Sequence, residues 1–297
     1  MYTPERNYLP VKISGVSTEK NGHLPPHGPG MAADSDSKID KWVVPSTCVD
    51  GQLSAQNVHQ WKEQGFCFVD KLLPVELIEM VKKDTLSIFP GPETEQAKKI
   101  TDFGDGSLSF PSKFDSINNI VLHANIHKAV SLLLDVPDID IRLTQGELWP
   151  KYGYSSNDPY SNSDQRIHCD FPNHTLTHPP RWYEPDAVEM IVYFNSVEEC
   201  QGATAVVPRT GVDDKAYQYP IFQMPGFGLL QWKNNKNCAE EYLQQVAPLI
   251  ADFRASNLYP REKYARFGVG SVLIYRHDTW HRGTELIPGL LIVFYCQ

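Results

Sequence analysis

The sequence predicts a mainly β fold with flanking helices, a cupin-like β-barrel or jelly roll with the helices packed outside it. Three observations carry this prediction. Amphipathic helical stretches are concentrated in the first half of the chain. Short apolar runs broken by turn residues dominate from Ile139 to the end, and long loops join those runs. With 297 residues, 41% hydrophobic and 11% aromatic, the chain can bury one sizeable core.

The elements follow in order. Residues 1–52 are rich in Pro, Gly, Ser, Asp and Lys, as in HLPPHGPGMAADSDSK, and lack apolar periodicity. They read as a disordered or loosely docked extension, in which His23 and His27 are solvated loop histidines. A folded domain spans 53–297. Ser54 is placed to cap a helix carrying Val58 and Trp61, Gly65 stops it, and Phe66 to Val69 form a short buried strand. A second helix begins at Pro74 and turns Val75, Ile78, Val81 and Leu86 inward. A third lies in HANIHKAVSLLLDV. Strands start in the run from Ile139 to Leu148 and recur in AVEMIVYFNSV, GATAVVPRTG, GVGSVLIYRHD and GLLIVFYCQ. One inserted helix, CAEEYLQQVAPLIADF, interrupts them.

Composition excludes several classes. A formal net charge of -9 without a basic block is the wrong footprint for a nucleic-acid scaffold or an anionic membrane surface. Six cysteines without a CxxC pair support neither a zinc site nor a disulfide framework, and read as buried reduced thiols. No apolar run of about 18 residues is present, and neither a signal peptide nor a C-terminal targeting tripeptide is seen. A cytoplasmic protein without membrane insertion is expected.

The chemistry concentrates at Gln165-Arg166-Ile167-His168-Cys169-Asp170. Side chains two apart on a strand share a face, so His168 and Asp170 can reach one metal ion together. A third ligand is available in GVGSVLIYRHDTWHRGT, as His277 or His281. Two histidines and one carboxylate with open positions beside them form the facial triad of non-haem Fe(II) oxygenases.

Four blocks, taken in order, resemble the phytanoyl-CoA dioxygenase family of Fe(II)/2-oxoglutarate oxygenases. They are LSAQNVHQWKEQGFCFVDKLLP, then WPKYG with QRIHCDFPNHTL, then VEMIVYFNSVEECQGATAVVPRTG, and finally GVGSVLIYRHDTWHRGTELIPG. The resemblance implies a double-stranded β-helix that binds Fe(II), 2-oxoglutarate and dioxygen. It implies His168, Asp170 and His281 as catalytic iron ligands, since His281 precedes Arg-Gly-Thr as in the family's W-H-R-G-T pattern. His277 then packs nearby, and His174 and His178 are loop residues.

The implied reaction is hydroxylation of a small organic or lipid-like substrate, with release of succinate and CO2. Asp170 supports this, because halogenating relatives lack that carboxylate. The family also carries an Arg for the far carboxylate of 2-oxoglutarate in a P-G-x-x-R context. This chain reads Pro288-Gly289-Leu290-Leu291-Ile292, apolar where the Arg belongs. Lys151 is the first candidate to replace it, with Arg282 and Arg276 behind.

Trp149, Tyr152, Tyr154, Tyr160, Trp182 and Tyr183 are candidates to line a substrate pocket, and Arg166 and Arg181 to meet an anionic group. Two alternatives stand beside the oxygenase. One is a catalytically impaired relative that binds a metal, metabolite or partner. The other is a metal-dependent cupin-type enzyme that takes no 2-oxoglutarate.

Overall fold

Paired strands begin with two short segments, β1 (Trp42–Val43) and β2 (Ser46–Thr47), which lie within the stretch read as an extension. The computed structural model describes residues 41–100, 105–154, 164–170, 184–218 and 230–297. All of these belong to the unit Asp36–Gln297 into which the chain divides after Ser35. His23 and His27 lie outside the described residues.

Helix α1 (Ala55–Gln64) starts where the sequence places its cap. The Ser54 hydroxyl accepts from the Asn57 backbone N–H at 3.2 Å, and the Asn57 side chain accepts in return from the Ser54 N–H at 3.0 Å. Gly65 ends the helix at φ 86°, a left-handed conformation that a Cβ would penalise, and turns the chain into β3 (Phe66–Asp70).

Helix α2 (Val75–Ile88) buries Leu77, Ile78, Val81 and Thr85. Val75 and Leu86, expected inside, are 64% and 85% exposed. At 3.6 residues per turn each lies roughly 100° or more from the centre of that buried stripe.

Strand β4 (Leu108–Ser109) and helices α3 (Asp115–Val121) and α4 (Ala124–Leu134) follow. The expected strand from Ile139 begins only at Gly146, because Pro137 opens a single 3-10 turn over Asp138–Asp140. The remaining elements are β5 (Gly146–Gly153), β6 (Val188–Tyr193), α5 (Val197–Cys200), β7 (Thr204–Val206), α6 (Lys236–Val246), α7 (Pro248–Asn257), β8 (Lys263–Ala265), β9 (Val272–Arg276), β10 (His281–Gly283) and β11 (Gly289–Cys296). The single inserted helix read from the sequence is thus two. Pro248 cannot donate a backbone hydrogen bond, so the helix breaks at Ala247 and restarts with Pro in its first turn.

The strands form two facing sheets, a seven-stranded one in the order β2-β3-β9-β6-β11-β5-β4 and a four-stranded one in the order β1-β8-β7-β10. This is the jelly roll that the sequence pattern predicts, the double-stranded β-helix that the family resemblance implies. Side-chain alternation divides the larger sheet into two faces. Cys67, Val69, Met190, Val192, Ile274 and Phe294 pack beneath α1, α2 and α4. Phe68, Tyr193, Leu273, Tyr275, Val293 and Tyr295 face the smaller sheet, where they meet Val206 and Ala265. The candidate site opens from this second layer. No helix among the described residues is long and apolar enough to cross a membrane.

Candidate metal centre

The segment carrying His168 and Asp170 adds to the free edge of β10. His168 and His281 form an antiparallel bridge in which each backbone N–H donates to the other's carbonyl, at 2.8 and 2.7 Å. Gln165 N–H donates to the Gly283 carbonyl at 3.0 Å and extends the pairing. The backbone just before His168 is fixed from the other side. Arg254 of α7, fully buried, donates to the Ile167 carbonyl at 2.9 Å and forms an ion pair with Glu240 of α6 at 2.7 Å. The inserted helices therefore brace the ligand-bearing segment.

His168, Asp170 and His281 each offer one ligand atom, and these atoms lie within 4.8 Å of one another. Both histidines are set in the same way. Nδ1 of His168 lies 3.0 Å from the Arg166 carbonyl, and Nδ1 of His281 lies 3.0 Å from the Thr279 carbonyl. A carbonyl can only accept, so Nδ1 carries the proton and Nε2 keeps its lone pair for a metal. Burial pushes His168 well below the ordinary imidazole value, and the neighbouring His281 and Arg166 push it further. The donor set is that of a divalent transition metal, two neutral imidazoles and a carboxylate oxygen.

His277 is not part of this cluster. It is buried in the turn before β10, with Nε2 3.5 Å from Asp186.

A cavity of about 130 Å³ opens from the cluster, and Trp149, Lys151, Thr204, Tyr275, Val293 and Tyr295 contribute to its wall. Among the described residues Lys151 is the one lysine or arginine on that wall. It projects from β5 on the same face as Trp149, with Nζ 5.9 Å from the indole centroid. The low-dielectric surroundings push its ammonium down to about 8.

Arg282, the second candidate cation, is placed elsewhere. It alternates with His281 on β10, so it leaves by the opposite face, where its Nε donates to Glu262 at 2.5 Å and Nη1 pairs with Asp164 at 3.0 Å. Arg276 shares the helix-side face of β9 and donates to both Asp278 oxygens at 2.9 and 2.8 Å.

Of the six aromatic candidates, Trp149 lines the cavity. Tyr152 points away and donates to the Pro90 carbonyl, and Tyr154 donates to the Ala97 carbonyl. The Arg166 guanidinium stacks 3.5 Å from the Trp232 ring centroid and donates to Asn234. Tyr160, His174, His178, Arg181, Trp182 and Tyr183 lie outside the described residues.

Three residues that sequence reasoning missed surround the carboxylate. Tyr275 donates to Asp170 Oδ2 at 3.2 Å, and the Tyr295 hydroxyl lies 3.3 Å from the same oxygen. Tyr295 is also hydrogen-bonded to Glu189 on β6. Burial pushes both phenols well above the ordinary tyrosine value, with the Asp170 charge adding to it, so they act as neutral donors. A glutamate inside the apolar run VEMIVYF was the available signal.

No protein-family model matches the sequence, and no curated protein matches it. Solved structures do. The non-haem α-ketoglutarate-dependent carbocyclase SnoK from nogalamycin biosynthesis superposes with a TM-score of 0.51 at 14% identity, covering 85% of this chain and 87% of that one. HygX from Streptomyces hygroscopicus, with iron bound, gives 0.51 at 13% identity over 82% and 86%. EctD from S. alaskensis, with 2-oxoglutarate and 5-hydroxyectoine, gives 0.52 at 12% identity over 82% and 76%. At these identities the likeness is one of fold: the chain shares the jelly roll of these proteins and groups His168, Asp170 and His281 within it.

Proposed function

We propose that the protein is a non-haem Fe(II)/2-oxoglutarate-dependent oxygenase of the phytanoyl-CoA dioxygenase type. It hydroxylates a small organic or lipid-like substrate and releases succinate and CO2. The observation that carries this reading is the pairing of the His168–Asp170–His281 cluster with a small cavity that has a lysine on its wall. Structural neighbours crystallised with iron, or with nickel and 2-oxoglutarate, support it.

Iron with 2-oxoglutarate supplies the oxidation of the substrate by dioxygen. The two Nε2 atoms and the Asp170 carboxylate hold the metal, and their Nδ1 bonds to backbone carbonyls fix the ring orientation. Lys151 receives the far carboxylate of the keto acid, whose burial without a cation would cost several kcal/mol. Trp149, Ile191 and Val293 supply apolar wall, which excludes water from that ion pair and strengthens it.

The test is an anaerobic titration of the full chain with Fe(II) and then 2-oxoglutarate, following the visible charge-transfer band of the chelate. A saturable band, weakened by Lys151→Ala, is expected. A silent spectrum with iron demonstrably bound would overturn the 2-oxoglutarate assignment in favour of a metal enzyme that takes no keto acid.

A further inference from the structure

Asp170 Oδ2 is the meeting point of two phenols, and one of these reaches on to a second carboxyl. Tyr275 and Tyr295 both contact Oδ2, while Tyr295 also contacts Glu189 Oε2. Glu189 is 0% exposed, and among the described residues its other oxygen has no hydrogen-bond partner. The arrangement follows from strand register. Glu189 pairs with Tyr275 across β6 and β9, and Tyr295 pairs with Ile191 across β11 and β6, so all three side chains share the interior face.

A phenol carries one proton. Lying between two carboxyl oxygens, Tyr295 donates to one and must accept from the other, so one carboxyl carries a proton. The surroundings decide which. The Asp170 side chain is 16% exposed and already receives the Tyr275 hydroxyl. Glu189 is sealed, and in its ionised form would leave a charged oxygen without a donor. Burial, and then the Asp170 charge, push the Glu189 carboxyl well above the ordinary range. The proton chain therefore runs from the Glu189 carboxylic acid to the Tyr295 oxygen, and from the Tyr295 hydroxyl to Asp170 Oδ2.

We propose that Glu189 is a positioning residue of the metal centre, acting through Tyr295 to hold Asp170 Oδ2 so that Oδ1 is the oxygen offered to the metal. The inference rests on the reading of His168, Asp170 and His281 as metal ligands. A carboxylate whose second oxygen accepts two phenol hydrogen bonds has both of its lone pairs engaged and must give up at least one bond to chelate with two oxygens. The pair therefore holds Asp170 as a one-oxygen ligand and leaves room around the metal for other ligands.

The experiment uses the full chain and Co(II) as an optical probe. The dissociation constant and the visible ligand-field spectrum are measured for the wild type, Glu189→Gln, Glu189→Leu, Tyr295→Phe and the double variant Glu189→Leu/Tyr295→Phe. Thermal melting is measured alongside. Glu189→Gln keeps an N–H to donate to Tyr295 and is expected to retain the wild-type spectrum and affinity. Glu189→Leu and Tyr295→Phe are expected to change the spectrum alike and to weaken Co(II) about tenfold, with the double variant no weaker than either.

Tyr295→Phe removes a single hydroxyl, so it keeps the test decisive if Glu189→Leu does not fold. Folded Leu and Phe variants with wild-type spectrum and affinity would overturn the proposal. So would a Gln variant as impaired as Leu, or additive losses in the double variant. A wild-type chain that bound no Co(II) would overturn the metal reading itself, and the proposal with it.

Discussion

Lys151 and Leu291 stand directly opposite each other across β5 and β11, both on the face turned toward the smaller sheet. Ile292, the position that a P-G-x-x-R pattern would give to an arginine, faces the helices instead. The apolar residue and the lysine thus occupy one cross-strand pair, within which directly opposed side chains are close neighbours. Lys151→Ala should weaken 2-oxoglutarate on the order of 100-fold, about 3 kcal/mol, with Fe(II) affinity unchanged. Leu291→Arg in that background should recover part of the loss, and both are read from the chelate band.

The same lysine sets a pH dependence. Its pKa is pushed down to about 8 by burial, so it is cationic at neutral pH and loses its charge as pH rises through that value. Binding an anion favours the cation, so above pH about 8 the keto acid must bind with uptake of a proton. Its affinity should fall by up to about tenfold per pH unit there, and stay level between pH 6.5 and 7.5, both approximate bounds. Lys151→Arg keeps its charge throughout and should flatten the curve. The check is a series of titrations at fixed ionic strength.

Arg254 reaches the metal segment from outside the sheets. Arg254→Met removes the donor to the Ile167 carbonyl and leaves Glu240 without its cation, with only the Tyr259 hydroxyl still donating to it. Because the Glu240 side chain is partly exposed, the loss of stability should be about 2 kcal/mol, less than for a fully buried pair. Metal affinity should also drop about tenfold through the loosened segment. Glu240→Gln should cost less on both measures, which chemical denaturation and metal titration will separate.

Metal binding should itself stabilise the fold. At a free metal concentration about 100 times the dissociation constant, the gain is about 2.7 kcal/mol, reversible by a chelator. His168→Ala, Asp170→Ala and His281→Ala should each abolish that shift in melting temperature. His277→Ala should leave it in place, since His277 lies against Asp186 and outside the ligand cluster.

Much of this was legible because its signals are local. Ser54 with Asn57, and Gly65, each speak within a few residues, and the structure places each where that spacing requires; the spacing of His168 and Asp170 is equally local. What escaped depends on register. The outward turn of Arg282 follows from its parity with His281, which cannot be read until the strand is fixed at both ends. Tyr275, Tyr295 and Glu189 come from three different strands and meet only because β9, β6 and β11 are neighbours in the sheet. Val75 and Leu86 were misplaced for a related reason: the apolar residues of α2 cover more than one face, and packing selects which of them is buried.

The bridge between His168 and His281 also has a meaning for folding. Its two halves lie far apart in the chain, so pairing them closes a long loop whose entropy is paid before the contact gives anything back. Neither half presents all three side chains alone, since His168 and Asp170 lie on one and His281 on the other, whose far edge pairs with β7. On the metal-site reading, metal uptake during refolding therefore reports this long-range pairing: chains with complete helices but an unpaired β10 edge would be invisible to the metal.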